Sequence, residues 1–311
     1  MSDSTPAAGA SRLPGPRPTT IGRSIFRWGE RTFVMGIVNV TPDSFSGDGV
    51  LAVAPGDVAG SARDPVELAV AQARQMVADG ADLLDVGGES TRPGNAPVPV
   101  AEEMGRVVPV IRALRAALPG TPLSVDTTKP DVAEAAIGAG ADLINDVWGV
   151  GRDETLPRLA AAHHVPLVVM HNRAEPHYHR LLPEVVADLD AALERAVRLG
   201  VAWDDLIVDP GFGFGKTPDQ NLELLRELGA LRTLGRPILL GTSRKSTLGR
   251  ILDLGPGERL EATVATTALA IGAGVDIVRV HDVRANVRAA RIGDAIIRAN
   301  WRSEPAEGGP S

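Results

Sequence analysis

The feature that most constrains this chain is a unit that recurs eight times: a short aliphatic run ending in a polar or glycine residue, then an amphipathic helix rich in Ala, Leu, Arg and Glu, then a glycine-containing restart. The runs are Phe33–Val38, Leu83–Val86, Leu123–Val125, Leu143–Asn145, Leu167–Met170, Leu206–Val208, Pro237–Leu240 and Ile277–Val280. Between and after them lie helical patterns at Pro65–Ala78, Val100–Ala117, Asp131–Ala139, Glu154–Ala162, Pro183–Leu199, Asp219–Leu228, Glu258–Gly272 and Val283–Ala299. Strict alternation requires parallel strands with right-handed crossovers, and eight such units predict an α/β fold closed into a (β/α)8 TIM barrel. An open doubly wound sheet is the competing topology. Against it, no GxGxxG follows the first run, and polar residues end nearly every run instead of clustering at one switch point.

The rest of the organisation follows from composition. The stretch 1–20 is rich in Pro, Gly, Ser and Ala without an apolar signal core and reads as a flexible tail, 303–311 reads as a similar terminus, and 21–302 reads as one catalytic barrel domain. Two short β-like runs around Trp28-Gly29-Glu30 predict an N-terminal β-hairpin that plugs the barrel floor. With 44% hydrophobic but only 3% aromatic residues, the core must be built from Val, Ile, Leu and Ala, which suits a parallel sheet. A net charge of −7 argues against nucleic-acid or anionic-membrane surfaces, no segment is apolar enough to span a bilayer, and cytoplasmic is the expected location. The absence of cysteine excludes disulfides, thiolate metal sites and a cysteine nucleophile.

In a barrel all C-terminal strand ends meet at one mouth, so the residues ending the runs form a single list. The first six supply Asn39, Asp85, Asp126, Asn145, Met170-His171 and Asp209, mainly carboxylates and amides; the last two supply Ser243-Arg244-Lys245 and Arg279-Val280-His281, which are cationic. Each Asp alone is as readily a helix cap as a ligand. Together they predict a bipolar ligand, a donor-rich heterocycle with an anionic tail. Two long loops, after Asn39 and after Asp85, suit lids over such a site. The segment Gly211–Thr217 fails the P-loop pattern, because Pro210 stands where its first Gly belongs, so Lys216 is assigned no nucleotide role. His163, His164, His171, His177 and His179 lack a coherent metal-binding spacing and read as solvated loop residues; no G-x-S-x-G elbow marks a hydrolytic triad.

Eight segments, Met35–Ser46, Leu84–Gly94, Ser124–Thr127, Ile144–Asp146, Val169–His171, Asp209–Lys216, Thr242–Ser246 and Arg279–Asp282, resemble in order and in register those of the dihydropteroate synthase family, over about Thr32 to Ala299. That family consists of TIM-barrel enzymes of folate biosynthesis. The resemblance implies condensation of 6-hydroxymethyl-7,8-dihydropterin diphosphate with p-aminobenzoate to dihydropteroate and pyrophosphate by dissociative substitution, a Mg2+ cofactor, a homodimer and a sulfonamide target. It implies that Asp126, Asn145, Met170, Asp209 and Lys245 bind the pterin, that Asn39, Arg279 and His281 bind the diphosphate, with Asn39 also a Mg2+ ligand, and that Asp85 supports this anion site. Asp126, Lys245 and Asp85 are then the catalytic set. Phe45, Thr91, Arg92, Pro93, Phe214 and Ser246 would form the p-aminobenzoate pocket. The first loop departs from the family pattern: Ser46-Gly47-Asp48-Gly49 displaces the acidic residue by one position and Val50–Ala62 is longer, which bears on lid closure and sulfonamide sensitivity. Another pterin-binding barrel, a methyltetrahydrofolate:corrinoid methyltransferase, needs neither Ser243-Arg244-Lys245 nor the Ser90–Gly94 loop. A catalytically silent paralogue would have eroded both loops.

Overall fold

A computed structural model describes residues 15–41, 64–89, 97–148 and 154–301. The eight expected strands are β3 (Phe33–Asn39), β4 (Leu83–Gly87), β5 (Leu123–Asp126), β6 (Leu143–Asp146), β7 (Leu167–Met170), β8 (Leu206–Asp209), β9 (Leu239–Leu240) and β10 (Ile277–Val280). All neighbours pair in parallel in the order β8-β7-β6-β5-β4-β3-β10-β9, and a bridge between Val208 and Ile238 joins the two ends of the sheet. The sheet is a nearly closed barrel, so the doubly wound alternative is set aside. Ahead of it, β1 (Thr19–Ile21) and β2 (Ser24–Phe26) form the hairpin, which begins two residues earlier than the sequence division at 20/21 places it.

The helices are α1 (Pro65–Ala78), α2 (Val100–Ala117), α3 (Pro130–Ala139), α4 (Thr155–His163), α5 (Leu181–Arg198), α6 (Pro218–Arg226), α7 (Ser246–Leu252), α8 (Leu260–Ala273) and α9 (Val283–Ile297). Among the described residues no helix is long and apolar enough to cross a membrane. The glycine restarts cap helices at the barrel floor: Gly140 and Gly274 close α3 and α8 in the left-handed conformation.

The pleat decides what each strand residue does, because alternate side chains face opposite ways. Val34, Leu84, Val125, Ile144, Val169, Val208 and Val278 pack outward with the helices into one large core. Met35, Leu83, Leu143, Val168, Ile207, Leu239 and Ile277 face inward and form a second cluster with Ile21, Phe26, Trp28 and Phe33. The hairpin therefore plugs the floor, with Phe26 and Phe33 ring centroids 4.7 Å apart and Trp28 donating from Nε1 to Thr19 Oγ1. Two residues further along, the same inward face carries Asp85, Asn145, Met170, Asp209 and Arg279. An apolar floor thus fixes a polar mouth by arithmetic alone.

Candidate active site

Arg279 stands at the centre of the mouth. Its Nε donates to Asp85 Oδ2 at 2.6 Å and its Nη2 to Asp126 Oδ2 at 2.5 Å, while Asn145 Nδ2 donates to the same Asp85 oxygen at 3.0 Å. Asp85, Asp126 and Asn145 are buried. Register brings them together, since Asp126 lies opposite Asn145 on the neighbouring strand and Met170 opposite Asp209. The second oxygens, Asp85 Oδ1 and Asp126 Oδ1, and Ser124 Oγ are buried without a hydrogen-bond partner among the described residues. Buried polar atoms are rarely orphaned in native proteins, so such acceptors mark a place for a donor-rich ligand or ordered water. Burial outweighs the Arg279 guanidinium and, with Asp85 as a second carboxylate nearby, pushes Asp126 up to about 7.

The opposite wall is the turn after β8. Asp209 Oδ1 accepts from Gly211 N at 2.7 Å, and burial raises this carboxyl against the opposing pull of Lys245. The turn packs so tightly that a Cβ on Gly211, at φ +69°, would lie 1.8 Å from the His171 carbonyl oxygen. Lys245, immediately before α7, reaches across to donate to the Phe212 carbonyl, with its Nζ 4.5 Å from the Phe214 ring centroid. Burial lowers its amine to about 8, although Asp209 favours the charged form.

The cations sort differently from their order in the sequence. His281 Nδ1 lies 2.9 Å from Ser243 Oγ, and its Nε2 contacts the Asn39 amide nitrogen at 3.5 Å, so Asn39, Ser243 and His281 form one rim. Arg244 does not join it: at φ +56° its guanidinium pairs with Asp282 at 2.7 Å. Ser246 opens α7 and is exposed beside Lys245. Phe45, Thr91, Arg92 and Pro93 lie outside the described residues.

Two features escape sequence reading. Glu103, on α2 and fully buried, accepts from Thr127 Oγ1 at 2.7 Å and pairs with Lys129, which also pairs with Glu89; Glu89 accepts from Val98 N at 3.0 Å. A buried glutamate on a helix face is a signal only once its partners are known. His171, which the sequence places both beside a strand end and among the solvated histidines, is only 4% exposed: it directly follows β7, and its backbone N–H donates to Asp209 O at 2.8 Å.

A metal has limited protein support here. Among the described residues no three His, Cys, Asp or Glu side chains are grouped to hold an ion. Asn39, with its amide nitrogen turned to His281, leaves one neutral oxygen at the mouth. That donor set fits a Mg2+ carried in largely by a diphosphate and water, which needs one or two protein oxygens, and does not fit a resident all-protein site.

The pterin binding enzyme family matches residues 35–281, from within β3 to just past β10. The chain belongs to the pterin-binding enzymes and, within them, to the dihydropteroate synthases. Dihydropteroate synthases of Clostridium beijerinckii and Bacillus subtilis are each 47% identical to it, covering 89% and 88% of this chain and 99% and 92% of theirs. Among solved structures, the Xanthomonas albilineans dihydropteroate synthase with 4-aminobenzoic acid superposes with a TM-score of 0.82 at 41% identity over 90% of this chain and 98% of that one. The same synthase in complex with 7,8-dihydropteroate gives a TM-score of 0.78 at 40% identity, over 91% and 98%. Membership in the dihydropteroate synthases makes the chain a transferase of folate biosynthesis.

Proposed function

We propose that this dihydropteroate synthase condenses a 6-hydroxymethyl-7,8-dihydropterin diphosphate with p-aminobenzoate, releasing pyrophosphate. The observation that carries the reading is the orphaned Asp126 Oδ1 in a pit also lined by Asn145, Met170 and Asp209, beneath the Asn39, Ser243 and His281 rim. Acceptors below and donors above match a ring rich in N–H groups with an anionic tail.

In this reading Asp209 and Asn145 hold the ring edge and Met170 packs on its face. Arg279, His281 and Asn39 receive the diphosphate, with Asp85 orienting Arg279 through the 2.6 Å contact. When bound, Mg2+ supplies charge neutralisation for the leaving group, with Asn39 as its protein ligand. The C–O bond breaks with its electron pair leaving on pyrophosphate, and the Asp126 carboxylate stabilises the positive charge spread over the pterin methylene. The arylamine nitrogen then donates its lone pair to that carbon and sheds a proton, with no covalent enzyme intermediate. Lys245 lies between the two substrates, Phe214 walls the second, and Ser246 receives its carboxylate. Phe45, Thr91, Arg92 and Pro93 complete that pocket from the two loops, the surface on which a sulfonamide would compete.

The direct test mixes the protein with Mg2+, the dihydropterin diphosphate and p-aminobenzoate and follows pyrophosphate and dihydropteroate together. Both products should appear in equal amounts; neither appearing would sink the proposal. The corrinoid methyltransferase reading predicts instead methyl transfer from methyltetrahydrofolate, and a silent paralogue predicts pterin binding without turnover.

The electrostatics add a pH profile. Asp126 acts ionised and is pushed up to about 7, so kcat/KM should rise with pH through that value; Lys245 acts charged and is lowered to about 8, so activity should fall above it. The result is a narrow bell whose limbs are macroscopic values of the coupled pit. A flat profile from pH 6 to pH 9, roughly the window in which such groups titrate, would remove both assignments.

The partner surface is read from α8 and α9, which expose Leu269, Ile292 and Ile296 at 72%, 64% and 72%. Ile292 and Ile296 line one groove with Val264 and Ala268 of α8; exposed apolar side chains of this kind suit a second copy of the chain, and sedimentation should give a dimer.

A further inference from the structure

Behind the pit lies a chain of polar groups to which the mechanism gives no part. Asp188 on α5 contacts His171 Nε2 at 3.1 Å, and His171 Nδ1 contacts Lys216 Nζ at 2.9 Å. The same ammonium donates to the carbonyls of Gly211 and Phe214, each at 3.1 Å. Burial lowers this amine to about 7, with Asp209 favouring the charged form; when it is charged, its three donors meet these three acceptors. The arrangement fixes the imidazole as neutral, with Nε2–H donated to the carboxylate and Nδ1 accepting, and burial together with Lys216 pushes this histidine down to about 4.

The two carbonyls belong to the turn that carries the aromatic wall. Gly211 and Phe214 bracket Phe212, whose own carbonyl accepts from Lys245, and Phe214 offers its ring to the same amine. The turn's glycines cannot supply stiffness themselves, since Gly211, Gly213 and Gly215 all have positive φ and bear no side chain to pack. Opposite the lysine the turn is seated on the segment after β7: Tyr178 Oη donates to Gly215 O at 2.8 Å, and a Cβ on Gly215 would stand 2.3 Å from Arg173 O. Arg173 in turn pairs with Asp188 and Glu184 at 2.8 Å, joining turn, strand end and helix α5.

We infer that Lys216 is a positioning residue of this synthase: anchored by His171 and Asp188, its amine clamps the Gly211–Phe214 turn and so sets the place of Phe214 and Lys245 against the second substrate. This rests on the proposed reaction and deepens it. Lys216 touches neither substrate and acts through the turn. Removing the clamp should loosen the wall that faces p-aminobenzoate while leaving the pterin pit, built on strand ends, in place.

The test is a double-mutant cycle on the full chain with the dihydropterin diphosphate saturating. Lys216→Met should raise the KM for p-aminobenzoate by about tenfold or more, the worth of one or two lost charge-assisted hydrogen bonds. Pterin affinity, measured directly by fluorescence titration, should move less than about twofold. In a Phe214→Ala background the same change should add little, because the wall it positions is gone. Should Lys216→Met unfold, Lys216→Gln, which retains donors to the two carbonyls without the charge, is read by the same criteria and should give a smaller rise in the same KM. A KM unchanged by either variant, an equal loss in pterin affinity, or full additivity with Phe214→Ala would overturn the inference. Absence of turnover by the wild-type chain would instead overturn the reaction on which it rests.

Discussion

Asp209→Asn is expected to weaken binding of the dihydropterin by about two to three orders of magnitude with the barrel intact. The reason is geometric as well as electrostatic. Asp209 Oδ1 accepts from Gly211 N at 2.7 Å, so an asparagine in its place must turn its single acceptor to that backbone N–H. Its amide NH2 then faces the pit, where a pterin presents N–H donors of its own. One charge-assisted contact becomes a clash of donors, a loss of roughly 3–4 kcal/mol. Calorimetric titration with the pterin checks this, and an affinity within a few-fold of wild type would remove Asp209 from the pit floor. The change also takes away the carboxylate that most favours the charged form of Lys245, so the alkaline limb of the activity bell should move to lower pH.

Arg279→Met should be the most destabilising single change at the mouth, by roughly 3–5 kcal/mol near neutral pH. Methionine keeps the aliphatic stem but leaves Asp85 and Asp126, at 0% and 7% exposure, without their shared cation. The pH dependence carries a definite sign. Asp126 is already raised to about 7 with the guanidinium present, and without it the folded-state value rises further. A carboxyl raised in the folded state contributes stability at low pH that is lost as pH rises, so the deficit should be largest at and above pH 7 and narrow toward about pH 4, where the unfolded group also binds its proton. Chemical denaturation across this range measures it. A variant as stable as wild type at pH 7 would show that the pit carboxylates do not depend on this arginine. Folded variant protein should also lose diphosphate-dependent binding, since the same guanidinium is proposed to receive that group.

These two changes bear on how much of the site is legible in the residues. The strands are legible because each is a short aliphatic run, most with a restart glycine before them, and β7, preceded instead by His164 in the left-handed conformation, and β10 match the sequence reading at both ends. β9 is less so: Pro237 lacks a donor, and the ladder keeps only Leu239–Leu240. At seven residues, α7 is too short to show a periodic apolar face. Inward placement of Asp85, Asn145, Asp209 and Arg279 follows from the two-residue pleat once the floor residues are known. Their pairing does not, because it joins side chains 194 and 153 positions apart.

By itself the sequence determined the barrel, its mouth and the residue types there, because periodicity and strand ends are local properties of the chain. Only the tertiary structure decided which of the cations are occupied. Arg244 is turned to Asp282 by its left-handed backbone, Arg279 is held between two carboxylates, and Lys216 sits behind the site on His171. A positive charge in a sequence carries no address. Its role is set by which carboxylates and carbonyls the fold brings within about 3 Å of it, and those distances exist only once strands distant in sequence have closed on one another.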